Sequence, residues 1–300
     1  MTTLAHRLGS LLPADIAARL RPRWHRFAQV ARFFRRGGRI WFDRELITWI
    51  ARRPIPGTES AGPMAAAVRS MREFRRFADY GDDANDLLHD WLCGLRSTDV
   101  LWDVGASNGL EGFLANHASG CKVVFVEPFT PSIESMLKTI VVVERRTGQR
   151  GQFEVVQAAC DRKSGFGRLV THTRPVAGET YNSIADDLAE YCHGGRQNKT
   201  VSSTQWVKMV TLDELHFDCG LPLPTHLKID VDGIELRALE GGERVLASGA
   251  IRACAIEVND DNGPKVVELM ARHGYMKLPE EYVHHKSAKY FIADYFFVKK

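Results

Sequence analysis

The chain has 300 residues, 44% of them apolar and 26% charged, and a formal net charge of +3. These are globular values; they exclude a wholly disordered, collagen-like or coiled-coil chain, and this length buries a sizeable core in one large or two modest domains. No apolar run approaches the roughly 18 residues of a membrane-spanning helix, the first 30 residues lack the apolar centre of a secretory signal, and six cysteines without zinc or redox spacing point to free thiols in a cytoplasmic setting.

Charge is unevenly spread. Residues 1–80 hold 16 Arg and no Lys against 6 acidic residues, a net of +10, while the other 220 hold 24 basic and 31 acidic residues, a net of −7. Residues 1–80 therefore read as a basic helical N-terminal extension and 81–300 as the domain proper. Residues 1–53 read as short helices broken by Pro13, Pro22 and Gly37-Gly38, with Trp24, Phe27, Ala31 and Phe34 at helical spacing. The stretch "RPIPGTESAGP" (53–63) reads as a linker or loop, 64–80 as another basic helix and 84–96 as an amphipathic helix. Three roles stand open for the arm. It packs on the acidic remainder or on a second subunit; it touches an anionic membrane peripherally through Trp24, Phe27, Phe34, Trp41 and Trp49; or it binds nucleic acid, which no recognition motif supports.

From Asp99 onward, short β-rich apolar runs alternate with helical stretches. The runs are 100–105, 122–127, 152–157, 225–231 and 253–258; helices are expected over 109–118, 131–146, 233–248 and 263–273. This order predicts an α/β fold, doubly wound, with a mostly parallel sheet covered on both faces. A final run, "YFIADYFFVKK" (290–300), has no helix after it and should insert antiparallel at the end of the sheet. Residues 171–205 are polar and read as an insertion or lid.

"LWDVGASNGLEG" (101–112) follows a predicted strand and opens a predicted helix. Gly105 and Gly109 permit a tight turn and close approach to a ligand, and the helix start offers free N–H groups. Glu127 ends the next strand, where a carboxylate can accept both hydroxyls of a ribose. A dinucleotide loop needs a second glycine where this chain has Ser107, and Asp103 just before the loop would repel a pyrophosphate. Asp103 suits the amino group of a methionyl moiety instead, which favours S-adenosylmethionine over NAD.

These segments resemble the class I S-adenosylmethionine-dependent methyltransferases and, within them, the FkbM-type family. The match runs through "DVGASNG" (103–109), "VFVEPF" (124–129), "QAACDRKSG" (157–165), "TLDEL" (211–215), "KIDVDGIELRALEGGERVL" (228–246) and "AIEVND" (255–260). It covers about 99–298. Departures are Ser107 in the loop, Asp232 where the family has Glu, and the long 171–205 segment. The resemblance implies a seven-stranded Rossmann-like sheet and a methyltransferase. Asp103, Gly105, Ala106, Ser107, Asn108, Gly109 and Glu127 would hold the cofactor, with Gln157 and Ala158 beside the adenine; Asp161 is an alternative partner there. It also implies O-methylation of a sugar, glycan or natural-product hydroxyl. An N-methyltransferase and a non-catalytic interaction protein of the same fold are the alternatives.

A hydroxyl acceptor needs a base or a cation. Asp230, at the end of the fourth predicted strand, is the candidate base or acceptor anchor. Asp230, Glu257, Asn259 and Asp260 are hard oxygen donors that would suit Mg²⁺, although Glu257 and Asn259 serve equally as hydrogen-bonding or capping groups. Asp232 reads as a helix N-cap and Glu235 as either a site residue or a macrodipole partner. Lys228 reads as a structural ammonium needing a carboxylate, Asp103 or Glu257. His193, His226, His284 and His285 are weaker candidate bases.

Overall fold

In the computed structural model, the described residues are 30–69, 71–79, 87–171, 183–185, 203–287 and 290–300. The chain divides into two units, Met1–Asp82 and Asp83–Lys300.

The described part of the first unit departs from the expected helices. Residues 30–35 are helical, but β1 (Arg39–Asp43), β2 (Thr48–Arg53) and β3 (Met64–Val68) form an antiparallel sheet in that order, followed by α1 (Met71–Asp79). The reason is local. "RIWFD" and "TWI" are rich in aromatic and β-branched residues that fit a pleated surface. The helical spacing drawn through Trp24 and Phe27 lies outside the described residues, and its continuation, Phe34, is exposed while Phe33 is buried against Phe74 with ring centroids 4.9 Å apart. Ile50, Phe74, Phe77 and all five residues of β3 complete this core. Arg53 is buried with them and is satisfied by backbone carbonyls, its Nε donating to Pro54 O at 3.0 Å and its Nη1 to Ala78 O.

The second unit begins with α2 (Leu87–Cys93). Then come β4 (Val100–Val104), α3 (Leu110–Ser119), β5 (Lys122–Val126), α4 (Thr130–Thr147), β6 (Phe153–Val156), β7 (Ala159–Cys160), β8 (Gly165–Thr171), β9 (Ser183–Ala185) and β10 (Ser203–Val210). They are followed by α5 (Leu212–Phe217), β11 (His226–Ile229), α6 (Glu235–Glu240), α7 (Glu243–Ala247), β12 (Ala253–Asn259), α8 (Gly263–Arg272), β13 (Tyr275–Ser287) and β14 (Tyr290–Lys299). The main sheet has seven strands in the order β13-β14-β12-β11-β4-β5-β6. β4, β5, β6, β11 and β12 are parallel, and β14 inserts antiparallel between β12 and β13. This is the doubly wound, mostly parallel sheet expected from the alternation of strands and helices.

The two faces of the sheet differ in chemistry. Trp102, Val104, Leu227, Ile229, Cys254, Ile256 and Val258 pack with Leu239, Val245, Leu246, Val266 and Leu269 from α6, α7 and α8. Strand alternation turns the residues between them the other way. In register, Lys228 lies beside Asp103 and Ala255, and Glu257 beside Asp294. The C-terminal end of this second face therefore carries a row of charged groups, while farther down α2 covers it, with Trp91 at 5.6 Å from His226 and 6.4 Å from Phe296.

Two further departures have physical causes. The single helix expected over 233–248 is broken into α6 and α7 at Gly241-Gly242, where the backbone passes so close to Asp161 O that a Cβ at Gly241 would lie 2.2 Å from it. A small sheet, β7-β10-β8-β9, brackets the polar segment, of which only 183–185 and the flanking strand ends are described. Its inner face buries Ala159, Leu169, Val207 and Met209 against Phe129. Among the described residues no helix is long and apolar enough to cross a membrane.

Candidate active site

β4 ends in the glycine loop. Gly105, Ser107 and Gly109 all have positive φ, at +79°, +50° and +77°. The first is enforced by packing: a Cβ on Gly105 would stand 1.7 Å from the Asp230 carbonyl oxygen of the neighbouring strand. Gly105 N and Ala106 N both donate to Val126 O, at 2.9 and 3.2 Å, so the loop is pinned to the end of β5. The left-handed Ser107 turns its own N–H onto Glu127 Oε2 at 2.8 Å, and Phe129 N donates to Oε1 at 2.8 Å. Glu127 is nearly buried, and burial pushes its carboxyl up to about 7 against the pull of those two N–H groups.

Four features of this cradle ask for a polar ligand. Ser107 Oγ and Asn108 Oδ1 are buried with no hydrogen-bond partner. The start of α3 has no side-chain cap. Glu127 still has acceptor capacity beyond its two backbone donors. Orphaned buried polar atoms are rare in folded proteins and are explained when a partner binds there. The residues present thus fit a nucleoside whose ribose hydroxyls donate to Glu127.

Asp103 lies beneath the loop, fully buried. Gly112 N donates to its Oδ2 at 3.1 Å, and its Oδ1 stands 3.6 Å from Lys228 Nζ. Burial raises its carboxyl to about 6, with Lys228 opposing. Lys228 Nζ also reaches Asp230 Oδ2 at 3.3 Å. Burial alone would lower the lysine, but Asp230, Asp103, Glu111 and Asp294 outweigh it and raise its pKa. Lys228 thus has the buried carboxylate expected for it, Asp103, and beside it a half-exposed one, Asp230, rather than Glu257. Gln157, exposed, donates to Thr130 Oγ1 at 3.1 Å, and Ala158 is buried with its N–H donating to Val156 O at 3.1 Å.

Several other candidates are engaged elsewhere. Arg237 Nε donates to Asp161 Oδ1 at 2.8 Å, so Asp161 is held as an ion pair. Asp232 is not an N-cap. It takes a left-handed turn (φ +55°), and the buried Glu235 closes that turn, its Oε1 accepting from Gly233 N at 2.8 Å and from Val231 N at 3.3 Å. Glu235 Oε2 accepts from Asn262 Nδ2 at 2.5 Å, tying α6 to the start of α8. Asn259 Oδ1 accepts from Asp261 N and Asn262 N at 2.9 and 3.2 Å and closes a turn, while Asp260 Oδ2 accepts from Phe291 N at 2.9 Å and ties that turn to β14. His226 sits at the start of β11, 3.7 Å from Asp99, at the opposite end of the strand from the loop. His193 lies outside the described residues.

On the charged face the structure assembles a group that no single motif announces. Glu257, His284 and Asp294 bring one ligand atom each to within 4.8 Å of one another. His284 Nε2 lies 3.0 Å from the buried Asp294 Oδ2; burial would lower the imidazole, but Asp294 and Asp230 raise it. Burial together with Asp230, Glu235, Asp232 and Asp294 pushes the Glu257 carboxyl up to about 10. His284 reaches this face from an irregularity in β13 between Val283 and His285, where a bulge re-aims a side chain. Asp294 was missed in the sequence; its signal was a lone acid within the apolar run "YFIADYFF".

The Methyltransferase FkbM domain model matches residues 103–277. The chain belongs to the FkbM methyltransferase family. It is accordingly an S-adenosylmethionine-dependent methyltransferase with a Rossmann-like sheet. The hexuronic acid methyltransferase AglP of Haloferax volcanii is 25% identical over 226 residues, which cover 73% of this chain and 82% of that protein. The crystal structure of an FkbM methyltransferase from Methylobacillus flagellatus superposes with a TM-score of 0.41 at 15% identity, covering 67% of this chain and 44% of that one. A precorrin-6y C5,15-methyltransferase from Geobacter metallireducens gives a TM-score of 0.41 at 13% identity, covering 71% and 86%.

Proposed function

We propose that the enzyme methylates a hydroxyl of a sugar or glycan, with the acceptor lying over the face that carries Asp230, Glu257 and the His284–Asp294 pair. The observation that carries this reading is the sheet register: Ile229 pairs with Val104 and Ile256, so the next residue, Asp230, falls level with Glu257, which pairs with Asp294, on the side where β4 enters the glycine loop. The relative that acts on a hexuronic acid supports the choice of acceptor class. Bound S-adenosylmethionine supplies an activated methyl group, so the protein's work is positioning and proton removal.

Gly105, Ala106, Ser107, Asn108, Gly109 and Glu127 hold the cofactor, Gln157 and Ala158 flank its base, and Asp103 with Lys228 fixes the floor of the loop. Asp230, 3.3 Å from the Lys228 ammonium and partly open to solvent, takes the acceptor hydrogen bond and its proton. Glu257, protonated at neutral pH, donates to an acceptor oxygen.

One observation favours an amine as a second acceptor class: three carboxylates, Asp230, Asp232 and Asp294, crowd around Glu257 on this face and attract a cation. The test is a methyl-transfer assay on uronic-acid glycosides, neutral glycosides and amino sugars, with wild type and Asp230→Asn. A hundredfold or so loss of kcat on a hydroxyl acceptor, with S-adenosylhomocysteine affinity kept, supports Asp230 as the base. Turnover of amino sugars alone, insensitive to Asp230→Asn, would replace O-methylation with N-methylation.

A further inference from the structure

We infer that the β1–β2 hairpin is a docking element for an anionic lipid surface. The methyltransferase site leaves this hairpin unexplained. Its outward residues are Ile40, Trp41, Phe42, Ile47 and Trp49, exposed by 38%, 39%, 46%, 75% and 50%. Five exposed large apolar side chains within ten residues form a patch, which folded domains rarely leave without a partner. Phe42 and Trp49 pair across the strands with ring centroids 5.4 Å apart, so the patch is preformed.

The occupant follows from how the patch is distributed. Strand alternation puts Ile40, Phe42 and Trp49 on one face of the hairpin and Trp41 on the other, with Ile47 in the turn at the tip. A folded partner covers one face; a lipid interface surrounds a tip on every side. The charges agree. Arg35, Arg36, Arg39 and Arg44 are exposed around the apolar residues, and residues 1–80 carry a net +10. Arginine near an anionic surface contributes about 1 kcal/mol each, and Trp and Phe prefer the interfacial zone. Aliphatic Ile40 and Ile47 offer nothing to phosphates or bases, which disfavours nucleic acid. Ile47 also holds φ at +49°, a conformation that suits Asn or Gly and not a β-branched residue. Its side chain is 75% exposed, so its apolar surface is available to the interface.

The experiment uses the full chain and sedimentation with two kinds of vesicle, phosphatidylcholine alone and phosphatidylcholine mixed equally with phosphatidylglycerol. Wild type should sediment with the mixed vesicles and much less with the neutral ones, and high salt should weaken the binding. Replacing Arg39 and Arg44 by Gln should weaken it about fivefold per arginine. Phe42→Ser combined with Trp49→Ser should weaken it by roughly tenfold or more. If that double variant fails to fold, Ile47→Asn decides. It relieves the backbone, so the Tm stays level or rises, yet vesicle affinity falls several-fold. S-adenosylhomocysteine affinity is the folding control for the other unit and should not change. The inference is overturned if wild type ignores the anionic vesicles, or if the apolar variants bind them as wild type does. It is equally overturned if the hairpin variants instead convert a dimer to a monomer, or abolish binding to an oligonucleotide.

Discussion

Replacing Gly105 with Ala tests the central claim about the cofactor loop, that its path is dictated by contact between two backbones. The added Cβ would stand 1.7 Å from Asp230 O and 2.6 Å from Asp230 C, where non-bonded atoms need more than about 3 Å. No rotamer relieves this, because the obstructing atoms are main chain on a neighbouring parallel strand. Overpacking costs about 1–3 kcal/mol and sometimes more, and the left-handed φ of +79° adds about 1 kcal/mol. The sum, about 2–4 kcal/mol, corresponds to a drop in Tm of about 4–16 °C for a unit of this size. Relief by moving the loop off β11 would also shift Ser107 N from Glu127 and weaken cofactor binding. Gly151→Ala is the control. Its φ is +73°, but a Cβ there meets nothing within 4 Å, so only the conformational cost of about 1 kcal/mol applies. The assay is calorimetry of both variants, for Tm and for S-adenosylhomocysteine affinity. Equal Tm losses in the two variants, with normal affinity in Gly105→Ala, would refute the steric reasoning.

Three more outcomes follow from the site. Glu127→Ala should weaken S-adenosylhomocysteine binding by roughly tenfold to a hundredfold, the worth of a charge-assisted hydrogen bond, and unchanged affinity by calorimetric titration would remove Glu127 from the ribose. Lys228→Met should cost about 3–5 kcal/mol of stability, because it strands the buried Asp103 without its ammonium; a denaturant titration showing under about 1 kcal/mol would contradict the ion pair. Glu257 binds its proton more tightly when folded, at about 10 against the ordinary 4.5. Its stabilising contribution is therefore complete below pH about 4.5 and is lost as pH rises toward 10. Glu257→Gln should flatten that decline and raise the Tm most at alkaline pH; identical Tm profiles against pH would show that the group is not held protonated.

The part of the fold that sequence made legible is the part with strong local signals. β4, β5, β11 and β12 are near-continuous apolar runs, mostly buried on both faces, so their burial requirement is written in consecutive residues. The glycine loop and Glu127 were visible for a similar reason: positive φ and close approach demand Gly at fixed offsets from a strand end. The first unit was misread over 39–53 and 64–68, where short basic helices were expected and strands formed. "RIWFD" and "TWIARR" are short enough for both patterns, and only pairing across the hairpin separates them.

The same limit applied at the site. Glu235 was open between two roles because its buried hydrogen bonds to Gly233 N and Asn262 Nδ2 depend on where α8 begins. The His284–Asp294 pair joins residues on two strands and was invisible as a motif.

By itself, then, the sequence determined what adjacent residues dictate: the alternation of strands and helices, the loop that must be glycine, the family and the uneven charge. The tertiary structure alone decided which groups meet. Parallel pairing of β11 with β12 and antiparallel pairing of β12 with β14 brought Asp230, Glu257 and Asp294 onto one face, and the bulge in β13 turned His284 toward them. The physical reason is that secondary structure answers to local sterics and hydrophobic period, whereas the chemistry of a site depends on distances between side chains that the chain separates widely and only sheet pairing brings together.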